Sequence, residues 1–133
     1  MGIILDTSIL IAYERGNLDI DKLVKDNADE PFGLSAITVS ELLHGGHRAD
    51  SESRRLKREA FVQKVIDTFP VYPFDISAAR IYADVWASLL KKGVAIGAHD
   101  LLIAATAISL GFSVATHNVR DFKKIKGLTL KVV

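Results

Sequence analysis

The sequence contains no cysteine, three prolines and a single tryptophan among its 133 residues. Without cysteine there is no disulfide framework, no thiolate nucleophile and no cysteine-ligated zinc. Neither sign of charge dominates, because 17 Lys and Arg residues stand against 16 Asp and Glu residues, for a net charge of +1. A surface that binds an anionic partner must therefore be a local patch. The lack of cysteine fits a reducing cytoplasm, which is the expected location.

No long hydrophobic run indicates a membrane span. The longest uncharged run, LLIAATAISLGFSVATHNV, contains polar residues and a central glycine. It is typical of a buried helix, a turn and a strand. The apolar N-terminus also lacks the basic region and small-residue cleavage site of a signal peptide. With 49% hydrophobic and 25% charged residues, the composition predicts one globular domain over residues 1–133 and no membrane partner.

Short β-type runs alternate with helical patterns along the chain. The runs that predict strands are GIILD, PFGLSA, PVYPF, FSVAT and LTLKVV. Helical patterns separate these runs, except that VRDFKKI before the last run is predicted as a short turn or helix. Asp75 is the expected N-cap of one of the helices. This alternation predicts an α/β fold, a three-layer α/β/α sandwich with a mostly parallel central sheet. Ligands of such folds bind beyond the carboxyl ends of the strands.

Two predicted helices have features of their own. The segment SESRRLKREAFVQKVIDTF is amphipathic, and its apolar face is expected to contain Leu56, Ala60, Phe61, Val65 and Ile66. The helix before it, in ITVSELLHGGHRA, contains the glycine pair Gly45 and Gly46. Because glycine disfavours helix, the pair is expected to weaken or bend this helix.

Three acidic residues are isolated in apolar segments. Asp6 is the only charge in GIILDTSILIAY, Glu41 is the only charge in PFGLSAITVSELL, and Asp100 is the only one between Lys92 and Arg120 if the histidines are neutral. Each follows a predicted strand or opens a predicted helix. Carboxylates gathered at one edge of a sheet repel one another unless their pKa values rise or a cation neutralises them. Oxygen ligands without sulfur suit Mg²⁺ or Mn²⁺.

A structural interpretation stays open for each acid. TVSE fits a capping box, with Thr38 as N-cap and Glu41 as its partner. Asp6 and Asp100 are suited to cap or flank a helix N-terminus. Capping is the common use of such residues, but an isolated acid in each of three separate apolar segments favours a shared site.

A fourth polar segment, ATHNVRDF, follows the predicted strand FSVAT and offers Thr116, Asn118 and Asp121. Asn118 is a candidate neutral ligand or hydrogen-bond donor. Asp121 is a candidate fourth carboxylate or a cap of the next turn, since Asn and Asp are common in turns.

Four segments, ILDTSILIAY, SAITVSELLHG, IGAHDLLIAATAISLG and ATHNVRDF, together resemble the motifs of PIN-domain ribonucleases, in particular the VapC-like toxins of toxin–antitoxin pairs. The resemblance covers essentially the whole chain and implies a PIN-like fold. It implies an endoribonuclease that uses Mg²⁺ or Mn²⁺ to hydrolyse RNA phosphodiester bonds. It also implies a cognate antitoxin and a homodimer.

The same resemblance suggests roles for individual residues. It makes Asp6, Glu41 and Asp100 catalytic acids, with Asp6 and Asp100 as primary metal ligands and Glu41 binding a second metal or orienting the attacking water. The fourth family position falls on Asn118, where many relatives carry Asp, with Asp121 close behind. We therefore add Asp121 to the catalytic candidates.

Other polar residues near these acids receive lesser roles. Thr7 and Thr116 match polar positions near the family's metal site, and with Asn118 they form an auxiliary group. His99 stands where relatives often carry Asn or another polar residue, and it receives no catalytic role.

An RNA substrate also needs cations. The candidates lie in and before one predicted helix: Arg48, Arg54, Arg55, Lys57 and Arg58. A solvated helix face is the alternative. The same alternative applies to a second basic patch formed by Lys123, Lys124 and Lys126.

His44 and His47, one turn beyond Glu41, are candidate contacts to phosphate or to an acidic partner. Three aromatic residues are expected in the core or in a dimer interface: Trp86, Tyr82 and Phe61.

Two other functions are alternatives to the nuclease. The first is a non-catalytic PIN-fold module that docks a protein partner or RNA. The second is a phosphotransfer or receiver domain. A dehalogenase-type phosphotransfer site needs a second Asp two residues after the first, and Ser8 stands there. A receiver domain needs adjacent acids ahead of its phospho-acceptor and a late Lys at a strand end, and neither pattern is visible here.

Overall fold

The computed structural model describes residues 1–133, in which five short strands are separated by helices. The strands are β1 (Ile3–Leu5), β2 (Phe32–Ser35), β3 (Val71–Tyr72), β4 (Ser113–Ala115) and β5 (Leu130–Lys131). The helices are α1 (Thr7–Glu14), α2 (Ile20–Asp26), α3 (Ala36–His47), α4 (Glu52–Thr68), α5 (Ile76–Lys91), α6 (Ala98–Leu110) and α7 (Val119–Phe122). Each of the five predicted strands is present.

The central sheet has the strand order β3-β2-β1-β4-β5, and every neighbouring pair is parallel. β1 lies in the middle, where Ile3 pairs with Phe32 of β2 and Leu5 pairs with Ala115 of β4. The expected sheet, mostly parallel, is in fact parallel throughout. This register places the residues that follow β1 and β4, Asp6 and Thr116, side by side at one edge.

Helices cover both faces of the sheet. Ile3 and Leu5 of β1 belong to a buried cluster formed with α1, α2, α3 and α4. Ile4 points the other way, into a cluster formed with α5, α6 and α7. Successive side chains of a strand point to opposite faces, so a strand buried on both sides is apolar throughout. The expected three-layer α/β/α sandwich is therefore confirmed.

The uncharged run predicted as helix, turn and strand forms α6, a glycine turn and β4. Gly111 ends α6 in the left-handed conformation, with φ at +69°, which glycine adopts without a steric penalty. No helix of the protein has the length and apolar character needed to traverse a bilayer.

The apolar face of α4 differs from the predicted one. Val62 and Val65 are buried, and Phe61 and Ile66 pack against the same cluster. Leu56 is 52% exposed, because the first turns of α4 extend beyond the core. Ala60 is likewise exposed.

The predictions for α5 are confirmed except at one aromatic residue. Asp75 caps α5 as expected, since its carboxylate accepts a hydrogen bond from Ala78 N at 2.9 Å. Tyr82 on this helix packs against the core. Trp86 is 51% exposed, so the core interpretation is wrong for this residue. Its ring lies on the outer face of α5 and contacts the ring of Tyr82, with the centroids 5.7 Å apart.

The glycine pair has a packing role in α3, which runs without interruption from Ala36 to His47. A Cβ at Gly45 would lie 2.6 Å from Nη1 of Arg58, and one at Gly46 would lie 3.1 Å from Cγ of Arg58. Glycine at both positions lets the Arg58 side chain of α4 lie directly against α3. The expected weak point is thus a close helix–helix contact.

Candidate active site

Asp6 follows β1 directly and is only 3% exposed. Its Oδ2 accepts hydrogen bonds from Thr116 Oγ1 at 2.7 Å and from Ser8 Oγ at 2.8 Å. Asp6 is also the N-cap of α1, so the predicted capping role is correct for its Oδ2 atom. Its Oδ1 is buried and has no hydrogen-bond partner. An unsatisfied buried carboxylate oxygen is costly, and a bound cation would remove that cost.

The partners of Asp6 form a small hydrogen-bonded network. Thr116, 2% exposed, follows β4 and accepts from Asn118 N at 2.9 Å. Ser8 Oγ accepts from His117 N at 3.0 Å. Thr116 was predicted as an auxiliary residue, whereas Ser8 was overlooked. The signal that could have identified Ser8 is a hydroxyl two residues after an acid that ends a strand, where it faces the capping carboxylate.

The capping box predicted for Glu41 is wrong. The helix α3 begins at Ala36, and its N-cap is Ser35, whose Oγ accepts from Ile37 N at 3.1 Å. Thr38 is therefore inside the helix and buried. The carboxylate of Glu41 has no part in capping and projects toward the edge where Asp6 lies.

Two side chains hold Glu41. Thr7 Oγ1 donates to Glu41 Oε1 at 2.7 Å, and His99 Nδ1 lies 3.3 Å from Glu41 Oε2. The side chain of Glu41 is 26% exposed and that of His99 is 61% exposed. His99 had no predicted catalytic role, but the structure places it as a direct neighbour of a candidate catalytic acid.

Asp100 lies in the first turn of α6, and the N-cap of that helix is Gly97, which forms no side-chain cap. Asp100 thus flanks the helix N-terminus without capping it. Burial, followed by the carboxylates of Asp6, Glu41 and Asp121, raises the pKa of Asp100 to about 6. This mutual repulsion is expected where several acids share a partly buried site.

Asn118 bridges two of the acids. Its Nδ2 donates to Asp100 Oδ2 at 2.9 Å and lies 3.3 Å from Asp121 Oδ2. The bond from Asn118, followed by the bond from Lys124, lowers the pKa of Asp121. Asn118 is therefore a hydrogen-bond donor here, the second of its two predicted roles. Asp121 lies in α7 and is ionised next to the other acids.

The four acids share one edge of the sheet, but no three Asp, Glu or His side chains converge closely enough to form a ready-made metal site. The donors are nevertheless all oxygen, which suits a hard cation such as Mg²⁺ or Mn²⁺. The unpartnered Oδ1 of Asp6 and the raised pKa of Asp100 both indicate negative charge without a counter-ion. The residues present fit a divalent cation, which Asp6 and Asp100 would hold, and the carboxylates of Glu41 and Asp121 nearby are partly exposed.

The arginines predicted to bind RNA differ in their surroundings. Arg58 donates to both carboxylate oxygens of Glu14 at 2.7 Å and to the Leu42 carbonyl at 3.1 Å. Arg55 pairs with Glu59 at 3.0 Å. Arg58 thus joins α4 to α1 and α3, whereas the partners of Arg55 lie within α4 itself.

The other basic candidates are exposed. Arg54 pairs with Asp50 at 3.2 Å in a highly exposed contact. Arg48 forms no side-chain hydrogen bond or ion pair, and His44 and His47 are exposed on the same helix. In the second basic patch, Lys124 pairs with Asp121, while Lys124 and Lys126 line a separate pocket of about 200 Å³.

Comparisons with known proteins agree on one family. The PIN domain family matches residues 3–128. Ribonuclease VapC1 of Rickettsia felis is 42% identical over 133 residues, which covers 100% of this chain and 97% of that protein. The structure of DNA-bound VapBC from Salmonella typhimurium superposes with a TM-score of 0.87 at 29% identity, over 99% of this chain and 98% of that one. VapBC-5 from Mycobacterium tuberculosis, described as a member of the VapBC family of toxin–antitoxin systems, gives a TM-score of 0.76 at 28% identity, over 100% and 98% of the two chains.

Proposed function

The chain belongs to the PIN domain family, and more narrowly to the VapC ribonucleases, and on that premise we propose that it is an endoribonuclease that acts as the toxin of a toxin–antitoxin pair. It hydrolyses phosphodiester bonds of RNA at the edge of the sheet where Asp6, Glu41, Asp100 and Asp121 lie. The reaction uses Mg²⁺ or Mn²⁺. The name of the R. felis relative supports the ribonuclease activity, and the description of VapBC-5 supports a cognate antitoxin.

The observation that carries this proposal is the buried Oδ1 of Asp6, which no donor of the protein satisfies. Asp6 and Asp100 are the side chains that would hold the cation, and Glu41 is close enough to affect the pKa of Asp100. A divalent cation bound there would supply an activated water and stabilise negative charge on the phosphate and the leaving oxygen.

The remaining residues keep these carboxylates in place. Thr116 and Ser8 fix one oxygen of Asp6, so that the other faces the site. Thr7 and His99 hold Glu41, which is partly exposed and suited to orient the attacking water. Supporting groups of this kind set the direction and basicity of the ligands they contact.

A homodimer is part of the proposal. Trp86 and Leu90 lie one turn apart on α5 and are 51% and 66% exposed. Exposed large apolar side chains are typical of protein–protein contacts. Trp86 and Leu90 therefore support a dimer interface on α5, on the face of the sheet opposite the helices α1–α4.

Cleavage of RNA by the purified protein tests the function. The substrates are a labelled single-stranded RNA of about 20 nucleotides and total tRNA, since single strands and loops expose the backbone. We expect cleavage with Mg²⁺ or Mn²⁺, none with excess chelator, and little with Ca²⁺, whose coordination is larger and looser. Cleavage that persists in chelator would contradict metal dependence.

The matched control is Asp6→Asn, which removes one charge at nearly constant shape. A folded Asp6→Asn protein with full activity would overturn the proposed site. If the wild-type protein binds RNA with each metal and never cleaves it, the non-catalytic PIN-fold module is the better description.

A further inference from the structure

Two cavities lie end to end along α3. The first, of about 460 Å³, is open to solvent at the acidic site and is lined by Ser40, Glu41, His44, Gly45, Arg48 and His99. The second, of about 490 Å³, shares Gly45 and Arg48 with the first and continues between the end of α3 and the start of α4. Together they form one groove, here called the α3 groove, which runs from Glu41 to the basic residues of α4.

Helical spacing places the polar side chains along the first part of the groove. Glu41, His44 and Arg48 are separated by three and four residues, so they share one face of α3. At 1.5 Å per residue, Arg48 lies about 10 Å along the helix axis from Glu41. At 3.4 Å per stacked nucleotide, that separation corresponds to about three nucleotides of a single strand.

Only some cations of the groove are free to bind a ligand. Arg58 is held by Glu14, at 2.7 Å for both hydrogen bonds. Arg54 pairs with Asp50, but an ion pair this exposed is weak and exchanges readily with another anion. Arg48 and Lys57 are exposed, line the groove and have no carboxylate partner.

Gly45 forms part of the lining of both cavities. A Cβ at this position would lie 2.6 Å from Nη1 of Arg58, so even alanine would collide with the guanidinium. The glycine therefore keeps the passage between the two cavities clear, while Arg58 stays paired with Glu14 behind it.

The lining indicates the kind of ligand. The cavity at the acids has no hydrophobic lining residue, and the cavity beyond it has one, Ala49. Protein partners are anchored above all by aromatic and arginine side chains, and this groove offers almost no apolar surface for an aromatic anchor. A nucleic-acid backbone needs cations and polar groups instead. The apolar pocket of the molecule lies elsewhere and is lined by Tyr13, Ile20, Val24, Val65 and Phe69.

We propose that the α3 groove binds the backbone of the RNA substrate on one side of the scissile bond, with His44, Arg48 and Lys57 contacting successive phosphates. The proposal rests on the ribonuclease function. It assigns to the substrate a path that crosses the acids and then follows α3. Arg58 has a structural role, Arg55 is paired with Glu59 of its own helix, and Arg54 joins the path only by releasing Asp50.

Binding of RNA by a double variant tests the groove. In Mg²⁺-containing buffer and an Asp100→Asn background that suppresses cleavage, fluorescence anisotropy with the labelled RNA measures the dissociation constant. We expect Arg48→Ala with Lys57→Ala to weaken binding about 10-fold and to reduce the salt dependence of log K by about 1–2.

The matched control removes the same charge from Lys22 and Lys25, two exposed lysines of α2 that line neither cavity of the groove. We expect Lys22→Ala with Lys25→Ala to change the affinity less than about 2-fold, because charges beyond the Debye length of the bound strand are screened. Equal losses of RNA affinity in the two double variants would show a general effect of net charge and would overturn the proposed role of the α3 groove.

Substrate length adds a second readout. The loss caused by Arg48→Ala with Lys57→Ala should shrink as the RNA is shortened on one side of the cleavage site, because a short strand does not reach the second cavity. A loss that is independent of length would contradict the path. Circular dichroism melting checks that both double variants are folded.

The outcomes separate this proposal from the function on which it rests. If the protein with its native Asp100 cleaves RNA and the Arg48, Lys57 variant binds RNA like the wild type, the α3 groove is refuted while the ribonuclease stands. If no cleavage occurs under any condition, the ribonuclease function fails. If the variant loses affinity for an acidic antitoxin segment but not for RNA, the groove is a protein-docking surface and the proposal is wrong.

Discussion

The acidic site has a floor and a rim that are held in different ways. The floor consists of Asp6, Ser8 and Thr116, which follow the central strands and are joined by short hydrogen bonds. The rim consists of Glu41 and Asp121, which lie on helices and are partly exposed. The floor is set by the register of β1 and β4, whereas each rim acid depends on one or two exposed side chains.

This difference explains why a site rich in carboxylates contains no ready-made metal cage. One oxygen of Asp6 is fixed and left unsatisfied, but the rim acids are held by partners that can be exchanged, such as His99 and Lys124. A cation would therefore find one rigid ligand and several adjustable ones. Substitutions in the floor should cost more than matched substitutions in the rim.

The largest effect is expected for Asp6→Asn. It removes the charge of the fixed carboxylate while the amide oxygen can still accept from Thr116. We expect RNA cleavage to fall by more than about 100-fold, beyond the loss typical of a group that only supports a metal ligand. Glu41→Gln and Asp100→Asn should also remove most activity. The measurement is the initial rate of RNA cleavage in Mg²⁺.

The distinction between floor and rim would fail if folded Asp6→Asn kept more cleavage activity than Asp121→Asn. Retention of the far-ultraviolet circular dichroism spectrum serves as the control for folding. Full activity in a folded Asp100→Asn protein would also contradict the assignment of the acids.

A pair of threonines provides a matched test of support. Thr116→Val removes a hydrogen bond to the buried carboxylate of Asp6, whereas Thr7→Val removes one to the partly exposed carboxylate of Glu41. We expect a loss of about 10–100-fold in the floor and of only a few-fold in the rim, where water replaces the missing donor. The rate of cleavage at saturating metal separates a catalytic loss from weaker metal binding. Equal losses in both variants would remove the distinction between floor and rim.

Much of the fold follows from periodicity and end signals. Apolar strands separated by helices predict a sheet that is buried on both faces, and β1 alternates between the two clusters as such a strand must. Local signals also identified Asp75 as a cap and the turn at Gly111. The exposed start of α4 escaped prediction, because periodicity finds an apolar face but not the point where the core ends.

The site was less predictable for the same reason. The isolation of Asp6, Glu41 and Asp100 in apolar segments revealed them, since charge among apolar residues is visible in a sequence. The capping box at Thr38 was misleading because the true cap, Ser35, lies three residues earlier at the end of β2. The contacts of Ser8 with Thr116 and of Glu41 with His99 join distant parts of the chain. Only the strand register and the direction of α6 create them.

The pH dependence of stability tests the repulsion at Asp100. Its native pKa of about 6 lies above the ordinary value of 3.8, so the native state binds more protons between these values. The stability contribution of this group therefore falls as the pH rises through that window. Linkage puts an upper bound of about 3 kcal/mol on the folding stability lost when Asp100 ionises, and the partial exposure of this group reduces the expected loss to about 1–2 kcal/mol.

Asp100→Asn should therefore stabilise the protein by about 1–2 kcal/mol at pH 8 in metal-free buffer, and the gain should vanish below about pH 4. Urea unfolding of both proteins across this pH range measures it. A destabilised variant at pH 8 would mean that the favourable position of Asp100 at the N-terminus of α6 outweighs the repulsion. That result would weaken the case for a shared site.

The smallest effects concern the fourth position, at the outer side of the rim. Asp121 is ionised and receives bonds from Asn118 and Lys124, so it already supplies a carboxylate. Asp121→Asn should loosen Mn²⁺ binding by a few-fold, since it acts at the edge of the site. Asn118→Asp replaces a donor that faces Asp100 and Asp121 with a third carboxylate, so the added charge is offset by repulsion and by two lost hydrogen bonds. We expect it to gain little affinity. Calorimetric titration of both variants with Mn²⁺ decides between the two residues. Unchanged Mn²⁺ affinity in Asp121→Asn would make Asp121 a structural residue of α7. A large gain in Mn²⁺ affinity in Asn118→Asp would make position 118 the missing ligand.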